Sequence, residues 1–256
     1  MTVTEALVSG LTQGFTEFLP VSSSGHLVLM RKFLGLPEAS VLFDVWLHVA
    51  TLMAVILYFG KDIVRLVREK NLKWLFCIAI ATTPAVVAAL FFSDKILGTR
   101  SSVQSVAVML IVTALILFAG QLVLWIRKKP GSGPDYFNSV VVGLAQAFAL
   151  LPGISRSGAT ISTGLAAGMD KENAFKFSFL MAIPAIIGAT IYETLKLDSA
   201  SAISGNWAGY ASGMLAAFIA GLVSLRFLWW IMKGKRLFVF GVYCLLVGVS
   251  VILFPE

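Results

Sequence analysis

Charge is scarce in this sequence, and so are the residues that build most soluble active sites. Only 13% of the 256 residues are Asp, Glu, Lys or Arg, while 58% are hydrophobic. A soluble domain carries about a quarter charged residues, so this chain lacks the polar surface that water requires. The mean hydropathy of +0.90 agrees. There are two histidines and two cysteines. Cys77 and Cys244 each lie inside an apolar run, with no CxxC or metal-like spacing. A disulfide framework and a zinc site are thereby excluded, and both thiols read as packing residues. The opening MTVTEALVSG has no basic stretch and no small-residue cleavage site, so a removable signal peptide is not expected. The net charge of +7 comes without a basic groove interleaved with aromatics, so nucleic acid is not an expected partner.

Long apolar runs are present instead. Six of them, at 41–59, 72–92, 103–126, 173–195, 207–230 and 237–254, approach the roughly 20 residues that a helix needs to cross a bilayer. Two further regions, 4–35 and 137–169, are too polar to span. Each is a mildly apolar run, a Pro/Ser/Gly cluster, then a second apolar run. The clusters are LPVSSSGH (19–26) and LPGISRSGAT (151–160).

The two regions repeat one another. Gly10, Leu11, Gln13, Phe15, Ser22, Ser24 and Gly25 recur as Gly143, Leu144, Gln146, Phe148, Ser155, Ser157 and Gly158, all at a spacing of 133. Pro84 and Pro184, each followed by alanine, are weaker support for a duplication. Interrupted segments at matching places in two halves point to a binding site near the membrane midplane. Irregular backbone at that depth survives only inside protein or beside a water-filled cavity. Both regions therefore read as re-entrant helical hairpins.

Positive charge sets the orientation. With the basic loop Lys61, Arg65, Arg68, Lys70, Lys73 in the cytoplasm, Arg127, Lys128, Lys129, Lys171, Lys176, Lys233, Lys235 and Arg236 follow it there. Arg31, Lys32, Lys95, Arg100 and Lys196 face outward. One hairpin then enters from each face, the halves are inverted, and both termini lie outside. The expected fold is an all-α integral membrane protein with about six transmembrane helices plus two re-entrant hairpins. It forms a single membrane domain over 1–256, with repeat halves at 1–126 and 127–256.

The tips carry the chemistry. In the second, Ser155, Arg156, Ser157, Gly158 and Thr160 follow the turn at Gly153 and open a half-helix. Free N–H groups and the dipole there favour an anion. Arg156 adds a fork that fits phosphate oxygens; its bland alternative is a structural pair with a carboxylate. In the first tip, Gln13 and Glu17 share a helix face, and Ser22, Ser23, Ser24, Gly25 and His26 follow. A buried Glu and His are costly in a membrane unless they work or pair. A carboxylate beside a phosphate group calls for a bridging hard cation, Mg²⁺ or Ca²⁺. Asp44 and His48 lie one turn apart in the first span, His48 packed or cavity-facing, while Glu193 and Arg226 sit near span ends and can snorkel.

TQGFTEFLPVSSSGH (12–26) and LPGISRSGATIS (151–162), with FLMAIPA (179–185) inside a later span, resemble the signature segments of the bacterial undecaprenyl-diphosphate phosphatases, the bacitracin-resistance family. The likeness runs through nearly the whole chain. It implies hydrolysis of the C55 isoprenoid diphosphate to the monophosphate carrier lipid of cell-wall synthesis. It also implies a site open to the outer face of the cytoplasmic membrane and a divalent cation. Gln13 and Glu17 fall on the family's Glu/Gln-x-x-x-Glu positions and are the implied metal residues. Ser24 stands where the family has Thr. His26, as base or nucleophile, Glu17, Ser23 and Arg156 are then the expected catalytic residues. Ser22, Ser24, Gly25, Gly153, Ser155, Ser157, Gly158 and Thr160 are the expected substrate contacts. Ser23 as nucleophile activated by His26 is an open alternative, and so is a lipid-phosphate or anion transporter built on the same inverted repeat. The sequence is compatible with a homodimer and does not fix one.

Overall fold

Hydroxyl and carboxylate caps mark where the chain first turns helical. Thr2 accepts the backbone N–H of Glu5 at 3.2 Å, and the Glu5 carboxylate accepts that of Thr2 at 2.8 Å. Asp135 and Asn138 form the same reciprocal box, both bonds at 2.8 Å. Each box satisfies donors that a helix start leaves free. In a computed structural model that describes residues 2–36, 40–98, 102–127, 131–196 and 207–254, these caps open two of eleven helices. No strand occurs among the described residues.

The order is α1 (Val3–Phe18), α2 (Ser23–Phe33), α3 (Val41–Tyr58), α4 (Gly60–Arg68), α5 (Leu72–Gly98), α6 (Val103–Ile126), α7 (Tyr136–Phe148), α8 (Arg156–Ala166), α9 (Lys171–Lys196), α10 (Trp207–Lys233) and α11 (Phe238–Leu253). Five of them, α3, α5, α6, α9 and α10, are long and apolar enough to cross a bilayer. The sixth expected span, α11, has 16 residues, about 24 Å of helix, and falls short of that length. The basic stretch read as a loop from Lys61 contains α4. Its Ile63 and Leu66 pack on the core, and Lys176 ties it to α9 by an ion pair with Asp62 at 3.0 Å. Lys128, Lys129 and Arg100, and the side chain of Lys95, lie outside the described residues.

The expected hairpins are helix pairs: α1 with α2, and α7 with α8. The N-caps of α2 and α8 are Ser22 and Ser155, and each accepts the N–H three residues on, from Gly25 at 3.4 Å and Gly158 at 3.1 Å. α1 lies along α10 and α7 lies along α5. Both contacts are close because glycine sits at each. A Cβ at Gly10 would collide with the carbonyl of Gly213, and one at Gly143 would come within 2.7 Å of the carbonyl of Ala81. Without water to squeeze out, such backbone contact is what holds helices together in lipid. Pro84 and Pro184 lie on α5 and α9. At a spacing of 133 their counterparts are Ala217 and Thr51, so the prolines lend the duplication no support.

α3 packs on α9 and α10 near the centre. Phe59, just beyond the end of α3, meets Phe175 and Phe179 from the first turns of α9, with ring centroids 5.6 and 5.9 Å apart. Phe18, the last residue of α1, adds an edge-on contact with Phe179 at 5.6 Å. These four phenylalanines are at most 2% exposed.

Candidate active site

The two tips pack against each other at their glycines. A Cβ on Gly25 would stand 3.3 Å from the Cα of Gly153, and one on Gly158 would stand 3.2 Å from Pro20. Gly153 has φ +95°, which an L side chain rarely adopts,. Thr113 of α6 braces this turn: its hydroxyl donates to the Gly153 carbonyl at 3.0 Å and accepts the Ser155 N–H at 3.1 Å. The sequence offered only one sign of that role, a lone hydroxyl inside a run of aliphatic residues.

Glu17, on the last turn of α1, is the hub. Its Oε1 accepts Arg156 Nη2 at 2.7 Å, and its Oε2 accepts the Ser23 hydroxyl at 2.6 Å. Gln13 adds its amide N–H to the same Oε2 at 3.1 Å. Thus the first tip supplies carboxylate and hydroxyl, and the second supplies the guanidinium. The other Arg156 nitrogen, Nη1, is buried with no partner among the described residues, and so is Gln13 Oε1. Buried polar atoms are rarely left unpaired. An unpaired guanidinium N–H suits an anion, and an unpaired amide oxygen suits a donor or a cation.

Beside this hub lies a cavity of about 290 Å³. Glu17, Ser22, Ser23, Ser24, Ser155 and Arg156 line it. Its far walls are Val41, Asp44, Val45 and His48 from α3, Gln146 and Leu150 from the second hairpin, and Ala185, Ile186, Ala189, Thr190 and Glu193 from α9. The chemistry is polar at the tips and aliphatic along the helices.

Several expected residues do not reach the cavity. Gln13 is fully buried behind Glu17. Ser157 turns its hydroxyl to Ser155 at 3.2 Å. Thr160 bonds the Arg156 carbonyl at 2.8 Å and Ser178 at 2.6 Å. Gly25, Gly153 and Gly158 serve the packing of the tips. His26 points away: its Nδ1 lies 2.8 Å from the Ser22 carbonyl and its Nε2 lies 2.8 Å from the Tyr243 hydroxyl. His48 faces the cavity, with Nε2 3.9 Å from Glu17 Oε2 and Nδ1 2.8 Å from the carbonyl of Asp44. Asp44 pairs with Arg31 at 2.5 Å. Among the described residues, no three His, Cys, Asp or Glu side chains converge as a metal site.

The family profile described as "Bacitracin resistance protein BacA" matches residues 6–250. A protein named undecaprenyl-diphosphatase from Syntrophotalea carbinolica is 39% identical over 260 residues, covering 97% of each chain. One of the same name from Christiangramia forsetii is 39% identical over 265 residues, covering 99% of this chain and 98% of its own. Another of that name, from Korarchaeum cryptofilum, is 36% identical over 269 residues, covering 98% of this chain and 99% of its own.

Proposed function

The chain belongs to the bacitracin resistance protein BacA family, and from that premise we propose how its two tips act. It is a multi-pass membrane hydrolase that converts undecaprenyl diphosphate to undecaprenyl phosphate and inorganic phosphate. The reaction returns the carrier lipid to cell-wall synthesis, and bacitracin resistance is the property the family is named for.

The observation that carries the mechanism is Glu17 held between Arg156 and the Ser23 hydroxyl. Ser23 Oγ attacks the terminal phosphorus. Its proton passes to Glu17 Oε2, and the bond to the bridging oxygen breaks, releasing the lipid monophosphate. Arg156 and the free N–H groups at the starts of α2 and α8 hold the charge that spreads over the phosphoryl oxygens. Water then attacks the phosphoserine, the phosphorus–Oγ bond breaks, both hydrogens of the water leave on the released phosphate, and Glu17 returns its proton to Ser23. Ser22, Ser24 and Ser155 contact the diphosphate from the cavity wall. Val41, Val45, Ala85, Ala185, Ile186 and Ala189 offer the isoprenoid an aliphatic path.

A hard divalent cation, Mg²⁺ or Ca²⁺, belongs to this proposal. Glu17 is the cavity-lining oxygen ligand that would hold it, backed by the unpartnered Oε1 of Gln13 from behind, and it would supply charge neutralisation for the diphosphate.

The inverted repeat is part of the reading as well. It is supported by counterparts 133 residues apart for every helix except α4: α1 and α7, α2 and α8, α3 and α9, α5 and α10, α6 and α11. The packing exchanges in the same way, α1 on α10 against α7 on α5, and α3 on α10 against α9 on α5. On this reading α11 completes six spans, the hairpins enter from opposite faces, and both termini and the cavity mouth lie on the outer side of the cytoplasmic membrane. The excess of Lys and Arg on the inner segments supports that orientation.

The test is phosphate release from undecaprenyl diphosphate by detergent-purified protein. Ser23→Ala, Glu17→Gln and Arg156→Ala are each expected to lower turnover by at least about a hundredfold. Chelation should abolish release, and Mg²⁺ or Ca²⁺ should restore it. Full turnover by Ser23→Ala would remove the serine from the mechanism.

A further inference from the structure

We propose that Tyr243 of α11 is a positioning residue for this reaction, acting through His26 on the turn that presents Ser23. The inference rests on the assignment of Ser23 as the attacking group.

Ser22 is where the turn is strained. Its φ is +73° and its ψ is 99°, and L residues seldom adopt a positive φ. Such a conformation persists only where its surroundings hold it. The Ser22 carbonyl receives two bonds from one residue, the backbone N–H of His26 at 3.1 Å and the ring Nδ1 at 2.8 Å. A carbonyl can only accept, so Nδ1 carries the hydrogen. In the neutral ring Nε2 is then an acceptor. The Tyr243 hydroxyl, 2.8 Å away, donates to it. The rings also stack, with centroids 5.6 Å apart and planes 14° apart.

The result is one directed chain: tyrosine hydroxyl to imidazole, imidazole to the carbonyl of Ser22. The next residue is Ser23, whose hydroxyl meets Glu17 at 2.6 Å. Both ring nitrogens of His26 are engaged, and the ring is not part of the cavity lining. Cys244, next to Tyr243, touches the same turn, with its sulfur 3.7 Å from the Pro20 carbonyl. α11 otherwise packs along α6, away from the cavity. The hydroxyl of Tyr243 is therefore a remote hold on the angle at which Ser23 leaves its turn. The rest of the side chain supports the stack, which Phe would keep.

Tyr243→Phe tests this, with phosphate release from farnesyl diphosphate in detergent as the readout. The expected result is a kcat lower by about tenfold, the worth of one hydrogen bond, with KM within twofold and an unchanged thermal unfolding midpoint. In a double-mutant cycle, Tyr243→Phe added to His26→Ala should cost nothing further, because the two act through one path. Wild-type kcat in Tyr243→Phe would overturn the proposal, as would a raised KM at unchanged kcat, or a full additional loss in the double variant. If His26→Ala is too slow to measure, the kcat of Tyr243→Phe decides alone. Ser23→Ala separates the two levels. If that variant is inactive while Tyr243→Phe is unimpaired, only this inference falls. If it turns over normally, the nucleophile assignment falls and this inference with it.

Discussion

At the residue scale, Glu17 and Arg156 form a partly buried ion pair at 2.7 Å that joins two hairpins far apart in the chain. Removing one partner leaves the other charged and uncompensated, at a cost of about 3–5 kcal/mol. Arg156→Ala and Glu17→Ala should each lower the thermal unfolding midpoint, and the double variant should be more stable than either single one while remaining inactive. A double variant less stable than both would mean that the two side chains do not depend on each other. Glu17, Ser23 and Arg156 were legible in the sequence because a charged residue or a serine cluster stands out against apolar runs. Thr113 and Tyr243 were not, and His48 was legible only as packed or cavity-facing. A single polar residue in a span looks the same whether it packs, braces a turn or faces a cavity, and only the packing of α3, α6 and α11 against the tips separates these cases. His26 was legible as a residue but not as a direction. Its ring turns to the carbonyl of Ser22, a residue with positive φ, a conformation that no local pattern of serines announces.

At the scale of elements, the two polar interruptions located both helix pairs, since Ser22 and Ser155, 133 residues apart, each cap the second helix of a pair. They did not reveal α4, whose basic residues hide an apolar stripe, nor the shortness of α11. The close helix contacts give a direct test. Gly10→Val would drive a branched side chain into the Gly213 carbonyl, and Gly143→Val would do the same at Ala81. Overpacking of this kind costs about 1–3 kcal/mol, and more where the obstacle is backbone. Both variants should unfold at lower temperature in detergent. Gly188 has open space around its Cβ position, so Gly188→Ala should leave the midpoint unchanged or raise it. Equal behaviour of all three would show that these contacts do not hold α1 and α7 in place.

At the scale of the whole molecule, the cavity and the phenylalanine cluster occupy opposite ends of the same helix pair. Cavity residues of α3 run from Val41 to His48, while Phe59 follows its last turn. On α9 the order is reversed, with Phe175 and Phe179 first and Ala185 to Glu193 at the cavity. His48 and Phe59 are eleven residues apart, about 16 Å along a helix, and the rings of Phe18, Phe59, Phe175 and Phe179 pack together at the far end, each at most 2% exposed. A carrier must open to both faces in turn, and here that would mean dismantling the cluster. Proteoliposomes should therefore show phosphate release on one face with no movement of phosphate or of labelled lipid across the bilayer. On the proposed orientation the same cluster turns the site into a cul-de-sac. Lipid and inorganic phosphate must back out through the doorway by which the substrate came in, so spent product and fresh substrate queue for a single threshold, and added phosphate should slow the enzyme by standing in it.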